Sequence, residues 1–114
     1  MVFVVAEIGV NWDGDFKLAK QMMTVAKKSG CNAVKFQAFD YDTVKEHPES
    51  ERLIKASISK DNIDKIDKIS KEVGIEWFAT PMYPDAVNLL EPYVKKFKVR
   101  VADGRLLFQN GSSE

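Results

Sequence analysis

Six polar side chains stand out by chemistry in this 114-residue chain: Glu7, Lys35, Gln37, Thr80, Lys98 and Arg100. Each lies in or at the end of a short run that otherwise reads as a buried strand: Val2–Ile8, Ala33–Gln37, Ile75–Thr80 and Phe97–Ala102. Parallel strands flanked by helices are normally apolar throughout, so charge inside one needs a reason. Strand alternation puts Lys35 and Gln37 on one face of the second run, with Val34 and Phe36 on the other. Lys98 and Arg100 oppose Val99 and Val101 in the same way. Glu7 and Thr80 close the first and third runs. If the aliphatic faces pack outward against helices, the polar set converges inside, near the C-terminal edge of the sheet. Parallel α/β folds bind ligands there. Two or three cations, one carboxylate and hydrogen-bonding groups suit a small phosphorylated or carboxylated ligand. One strand-end charge alone is more often a salt-bridged or snorkelling residue than a catalytic one. Recurrence at equivalent ends of several strands is what favours a site.

Helices must separate these strands. Asp15 can cap a helix whose apolar stripe runs through Leu18, Ala19, Met22, Val25 and Ala26, with Gly30 as the left-handed stop. Met22 and Met23 then belong to the core. Ala38–Ser59 is a longer, charged excursion containing Pro48, with one helical turn expected around Arg52–Ala56. Asp61–Val73 is helical, with Ile63, Ile66, Ile69 and Val73 as its stripe and Gly74 as its end. Asp64–Lys68 and Asp67–Lys71 are spaced as i, i+4 pairs on the exposed face. Pro84 opens a short helix, Asp85–Leu90. Asp103-Gly104 turns the chain after the fourth strand, and Arg105–Phe108 is expected to begin a further helix.

The order β-α-β-α-β-α-β implies a parallel sheet with helical crossovers. Residues 1–114 are expected to form one partial domain of four strands and three to four helices, the N-terminal half of a TIM (β/α)8 barrel.

Composition removes several function classes. Seventeen basic and seventeen acidic residues give a net charge of zero, so no nucleic-acid or polybasic membrane surface is expected. One cysteine, Cys31, cannot form an internal disulfide, which fits a reducing, cytoplasmic setting. No apolar run reaches the roughly 18 residues of a membrane span, and the N-terminus lacks the basic region of a signal peptide. His47, in a charged loop, reads as solvated. Trp12 is open to two readings, a hydrophobic plug over the barrel mouth or a stacking surface for a ligand.

The motifs Ala6-Glu7-Ile8-Gly9-Val10-Asn11, Val34-Lys35-Phe36-Gln37, Phe78-Ala79-Thr80-Pro81 and Phe97-Lys98-Val99 together resemble the sialic acid synthase family. They occur in the family's order and spacing across essentially the whole chain. The resemblance implies condensation of phosphoenolpyruvate with the open-chain aldehyde of an N-acetylated hexosamine, such as N-acetylmannosamine, to a nonulosonic acid. The enol carbon attacks the aldehyde, water adds to the resulting oxocarbenium centre, and phosphate leaves. A divalent cation, manganese or magnesium, would polarise the aldehyde. Lys35, Thr80 and Lys98 would hold phosphoenolpyruvate. Gln37 would hydrogen-bond the sugar, with Asn11 on the same side shaping the turn. Glu7 would be the catalytic group, orienting the sugar or the attacking water.

The chain departs from the family pattern at Trp12, where the family usually has His, a change that bears on sugar identity. It departs again at Arg100 and Val101, where a small residue and Ser are usual. Its length also differs, since a full barrel needs about 250 residues. The expectation is therefore a chain that lacks the barrel's C-terminal half, the antifreeze-like domain and the metal-binding histidines. Such a chain would be inactive alone and prone to form a homo-oligomer. Two further readings stand beside this one: a Schiff-base aldolase using Lys35 or Lys98, and a non-catalytic half-barrel that binds an anionic ligand or a partner.

Overall fold

A computed structural model describes residues 2–93, together with the backbone of two strands at 97–102 and 105–110. Strands β1 (Val5–Gly9), β2 (Ala33–Ala38) and β3 (Glu76–Pro81) form a parallel sheet in the order β1-β2-β3. Helix α1 (Phe16–Lys28) joins β1 to β2. The longer connection from β2 to β3 carries α2 (Tyr41–Val44), α3 (Ser50–Lys55) and α4 (Ile63–Val73), and α5 (Pro84–Leu90) follows β3.

The local signals act as their chemistry requires. Asp15 Oδ1 accepts the backbone N–H of Lys17 at 2.9 Å and of Leu18 at 3.3 Å, satisfying two orphan donors of the first turn of α1. Gly74 ends α4 at φ 83°, a left-handed conformation that costs a residue with a Cβ about 1–2 kcal/mol. Ala19, Met23 and Ala26 are the buried stripe of α1, and Ile63, Ile66 and Ile69 that of α4. Val25, expected in the α1 stripe, is 63% exposed, because the stripe is centred one row away.

These helices cover one face of the sheet. Val34, Phe36 and Ala38 of β2 share a core with Trp77 and Ala79 of β3, Ile8 of β1, and the buried faces of α1 and α4. Full burial of an aromatic or branched side chain is worth about 1.5–3 kcal/mol, so this layer dominates the stability. The opposite face carries a small apolar floor of Val5, Ala33 and Phe78, and the polar residues of the candidate site. Lys27 Nζ donates to Gly74 O at 2.7 Å, tying the end of α1 to the end of α4.

Three expectations are corrected. The first strand begins at Val5 rather than Val2, and Val2, Phe3 and Val4 are exposed. Of the two exposed pairs expected on α4, Asp67–Lys71 forms at 3.0 Å, while Asp64 accepts the hydroxyl of Tyr93. The expected helix at Arg105–Phe108 is instead a strand, β5 (Arg105–Asn110), antiparallel to β4 (Phe97–Ala102), with Ala102 opposite Arg105. An Asp-Gly pair between two β-rich runs is a strong hairpin signal, and it outweighs the helical reading of Arg-Leu-Leu. The Gly111–Glu114 tail lies outside the described residues. The α/β class stands, as parallel β/α units of a partial TIM barrel. No helix among the described residues is long and apolar enough to cross a membrane.

Candidate active site

Parallel register brings the polar residues together. Glu7 is opposite Lys35, Lys35 is opposite Phe78, and Gln37 is opposite Thr80. Two rows result on the face away from the helices. One runs Glu7, Lys35, Phe78; the other, nearer the C-terminal edge, runs Gln37, Thr80. In the first row Lys35 Nζ lies 2.8 Å from Glu7 Oε1. The lysine side chain is 18% exposed and the glutamate 50%, so the cation is set into the face and the carboxylate stands at its rim. Thr80 is buried and Gln37 partly so. The parity expected from alternation therefore holds for β2 and β3, with the apolar residues against the helices and the polar ones away from them.

The ladder shifts between Glu7 and Gly9, and Gly9 adopts φ 57°. A Cβ there would only touch Glu7 Oε2, at 3.4 Å, so the glycine is required by the bend and its positive φ and not by space. Asn11 is exposed in the turn that follows, its N–H bonded to Ile8 O at 3.0 Å. Lys98 lies in β4, but its side chain, like that of Arg100, is outside the described residues.

Neither reading of Trp12 holds, because its ring lies in the core between the sheet and the helices and not over the barrel mouth. It is fully buried, and its ring packs on Phe16 and edge-on to Phe36, on the helix side of the sheet. Its indole N–H donates to Ala56 O at 2.8 Å. A ring so enclosed cannot stack on a ligand.

No three His, Cys, Asp or Glu groups among the described residues are placed to hold a metal ion. His47 lies in an exposed loop, where its Nδ1 accepts the N–H of Glu49 at 3.0 Å. The described residues do not fit the divalent cation implied by the resemblance, and no step through it is assigned to them.

A second feature of this sheet edge has no counterpart in the strand pattern. Phe39, Tyr41, Lys55, Lys60, Tyr83 and Asp85 help line an open cleft just beyond β2 and β3. Burial, together with the nearby Asp40 and Asp85 carboxylates, raises the Tyr83 hydroxyl above its ordinary pKa. The cleft is assembled from loop and helix residues far apart in sequence, which alternation cannot reveal.

Comparison with known proteins converges on one family. Residues 22–105 match the NeuB family. The N,N'-diacetyllegionaminic acid synthase of Legionella pneumophila is 32% identical over 114 residues, covering 85% of this chain and 32% of the relative. The N-acetylneuraminate-9-phosphate synthase of Homo sapiens is 31% identical over 119 residues, covering 89% of this chain and 33% of the relative. A solved N-acetylneuraminic acid (sialic acid) synthetase from Leptospira borgpetersenii, in complex with citrate, superposes with a TM-score of 0.67 at 30% identity. That likeness covers 81% of this chain and 33% of the other. The chain thus spans about a third of the length of the curated relatives it matches.

Proposed function

The chain belongs to the NeuB family, and on that premise we propose that the sheet face away from the helices forms the phosphoenolpyruvate side of a sialic acid synthase-type site. The observation that carries this is the Lys35–Glu7 pair, in register with Gln37 and Thr80 on one face. Lys35 presents an ammonium to a phosphate or carboxylate, Thr80 offers a hydroxyl one row further out, and Lys98 would add a second cation. Gln37 and Asn11 would hydrogen-bond an N-acetylated hexosamine. Glu7, beside the cation and half exposed, would orient the aldehyde or the attacking water. In the reaction a C–C bond forms between the enol carbon and the aldehyde carbon. Water then adds to the adjacent carbon, which bears the phosphate oxygen, and the bond from that carbon to the phosphate oxygen breaks.

For Lys35, the Schiff-base alternative is disfavoured by the same pair. An ammonium paired with a carboxylate is not the neutral amine that imine formation needs. Self-association is proposed as well, since β1 is an outer strand of its sheet and Val2, Phe3 and Val4 are exposed at its start. Light scattering at high concentration should show a dimer or larger; a clean monomer would contradict it.

Calorimetric titration of the 114-residue chain with phosphoenolpyruvate tests the functional proposal. Saturable binding is expected, with no condensation of N-acetylmannosamine by this chain alone and no imine trapped by borohydride with pyruvate. Absence of binding, or a trapped imine, would overturn it.

A further inference from the structure

We infer that Arg52 is a positioning residue for the sugar side of this site, holding the β1–α1 turn that carries Asn11. The inference rests on the functional proposal above and extends it to a helix outside the sheet. Helix α3 belongs to the excursion between β2 and α4, which the βα repeat does not require. Yet the turn after β1 is docked on it at three consecutive residues. Trp12 donates its indole N–H to Ala56 O at 2.8 Å. Asp13 accepts from Arg52 Nε at 2.7 Å, and the same guanidinium reaches Glu49 Oε1 at 3.4 Å. Gly14 lies so close to Lys55 that a Cβ on it would stand 2.6 Å from Lys55 Cγ and 2.7 Å from Lys55 O.

The backbone needs such support. Asp13 adopts φ 53°, the only positive φ outside glycine among the described residues, and Gly14 follows at 72°. A non-glycine residue keeps a left-handed conformation where its surroundings over-determine it. Arg52 grips the side chain of the one residue in the turn that has both a Cβ and the unfavourable φ. Asn11 is two residues upstream and exposed, so it has no packing of its own to fix it. Its direction is inherited from the turn, and the turn's from α3.

A turn that visits the binding-competent arrangement only part of the time weakens apparent affinity by that fraction. Arg52→Ala in the full chain is expected to raise nanosecond mobility of the Asn11–Gly14 amides in ¹⁵N relaxation and to weaken N-acetylmannosamine binding by roughly tenfold. Phosphoenolpyruvate affinity should stay within about twofold, because Lys35 and Thr80 sit on strands. Arg52→Lys should restore much of the sugar affinity. Asp13→Asn, which tolerates the left-handed backbone but removes the charge, should move the same readouts in the same direction as Arg52→Ala. The inference is overturned if Arg52→Ala leaves Asn11 relaxation unchanged, or if both ligands weaken together. If the unaltered chain binds phosphoenolpyruvate but no sugar, the sugar side of the functional proposal fails. Relaxation at Asn11 then still decides whether Arg52 holds the turn.

Discussion

Lys35 and Glu7 face each other across the β1–β2 ladder, in register and 2.8 Å apart. Neither residue's position in the sequence, 28 places from the other, suggests a pair; the parallel crossover through α1 makes one. An anion arriving at Lys35 meets a cation already shared with a carboxylate. Removing that carboxylate's charge should therefore strengthen anion binding. At about 4 Å in water two unit charges interact by about 1 kcal/mol, or roughly fivefold in affinity. Glu7→Gln should tighten phosphoenolpyruvate binding by about that factor, read by calorimetry, and Lys35→Met should weaken it by about tenfold or more.

Trp12→Phe keeps most of the packing against Phe16 and Phe36 but removes the indole donor, leaving Ala56 O without that partner. A buried acceptor so orphaned costs about 1–3 kcal/mol. The urea midpoint should fall accordingly, while the phosphoenolpyruvate affinity of the folded protein stays unchanged, since the ring lies on the helix side of the sheet.

Two glycines separate backbone strain from steric clash. Gly30 has φ 91° with open space around it, so Gly30→Ala should cost only the conformational penalty, about 1–2 kcal/mol. Gly14 has φ 72° and is pressed against the Lys55 backbone, so Gly14→Ala should be the more damaging of the two. Equal losses in chemical denaturation would contradict the close docking of the turn on α3.

The hydrogen bond from Tyr93 to Asp64, with burial and the charges of Asp64 and Asp67 adding to it, raises the phenol above its ordinary 10.0. The protonated phenol is the form the fold prefers. Its contribution is thus fully present below about pH 10 and lost as pH rises through the elevated folded value. The stability difference between the native chain and Tyr93→Phe should be flat at neutral pH and shrink above pH 10. A difference that persists to higher pH would contradict the bond.

Strand parity makes the grouping of the candidate residues on β2 legible in the sequence. Lys35 and Gln37 alternate with Val34 and Phe36, and that alone sets them on the face away from the helices. Gly30 and Gly74 marked helix ends because no other residue rests comfortably at their φ. What escaped were relationships set by tertiary docking. Trp12 is apolar with one polar atom, so its type fits a plug over the barrel mouth or a stacking surface equally; its docking on Ala56 O puts it in the helix-side core, which is neither. Arg52 looked like one charge among many in an excursion, and its partner Asp13 lies 39 residues away. Arg105–Phe108 was misread because Arg-Leu-Leu favours helix locally, while the preceding Asp-Gly favours a hairpin and strand pairing prevails.

The central claim is that the sheet face away from the helices, through Lys35, receives phosphoenolpyruvate. The most direct measurement is a titration of the ¹⁵N-labelled chain with phosphoenolpyruvate, followed residue by residue, beside Lys35→Met. Saturable shifts centred on Glu7, Lys35, Gln37 and Thr80, lost in Lys35→Met, are the predicted result. Shifts confined to the cleft around Phe39 and Tyr83, or shifts that survive Lys35→Met, would contradict it.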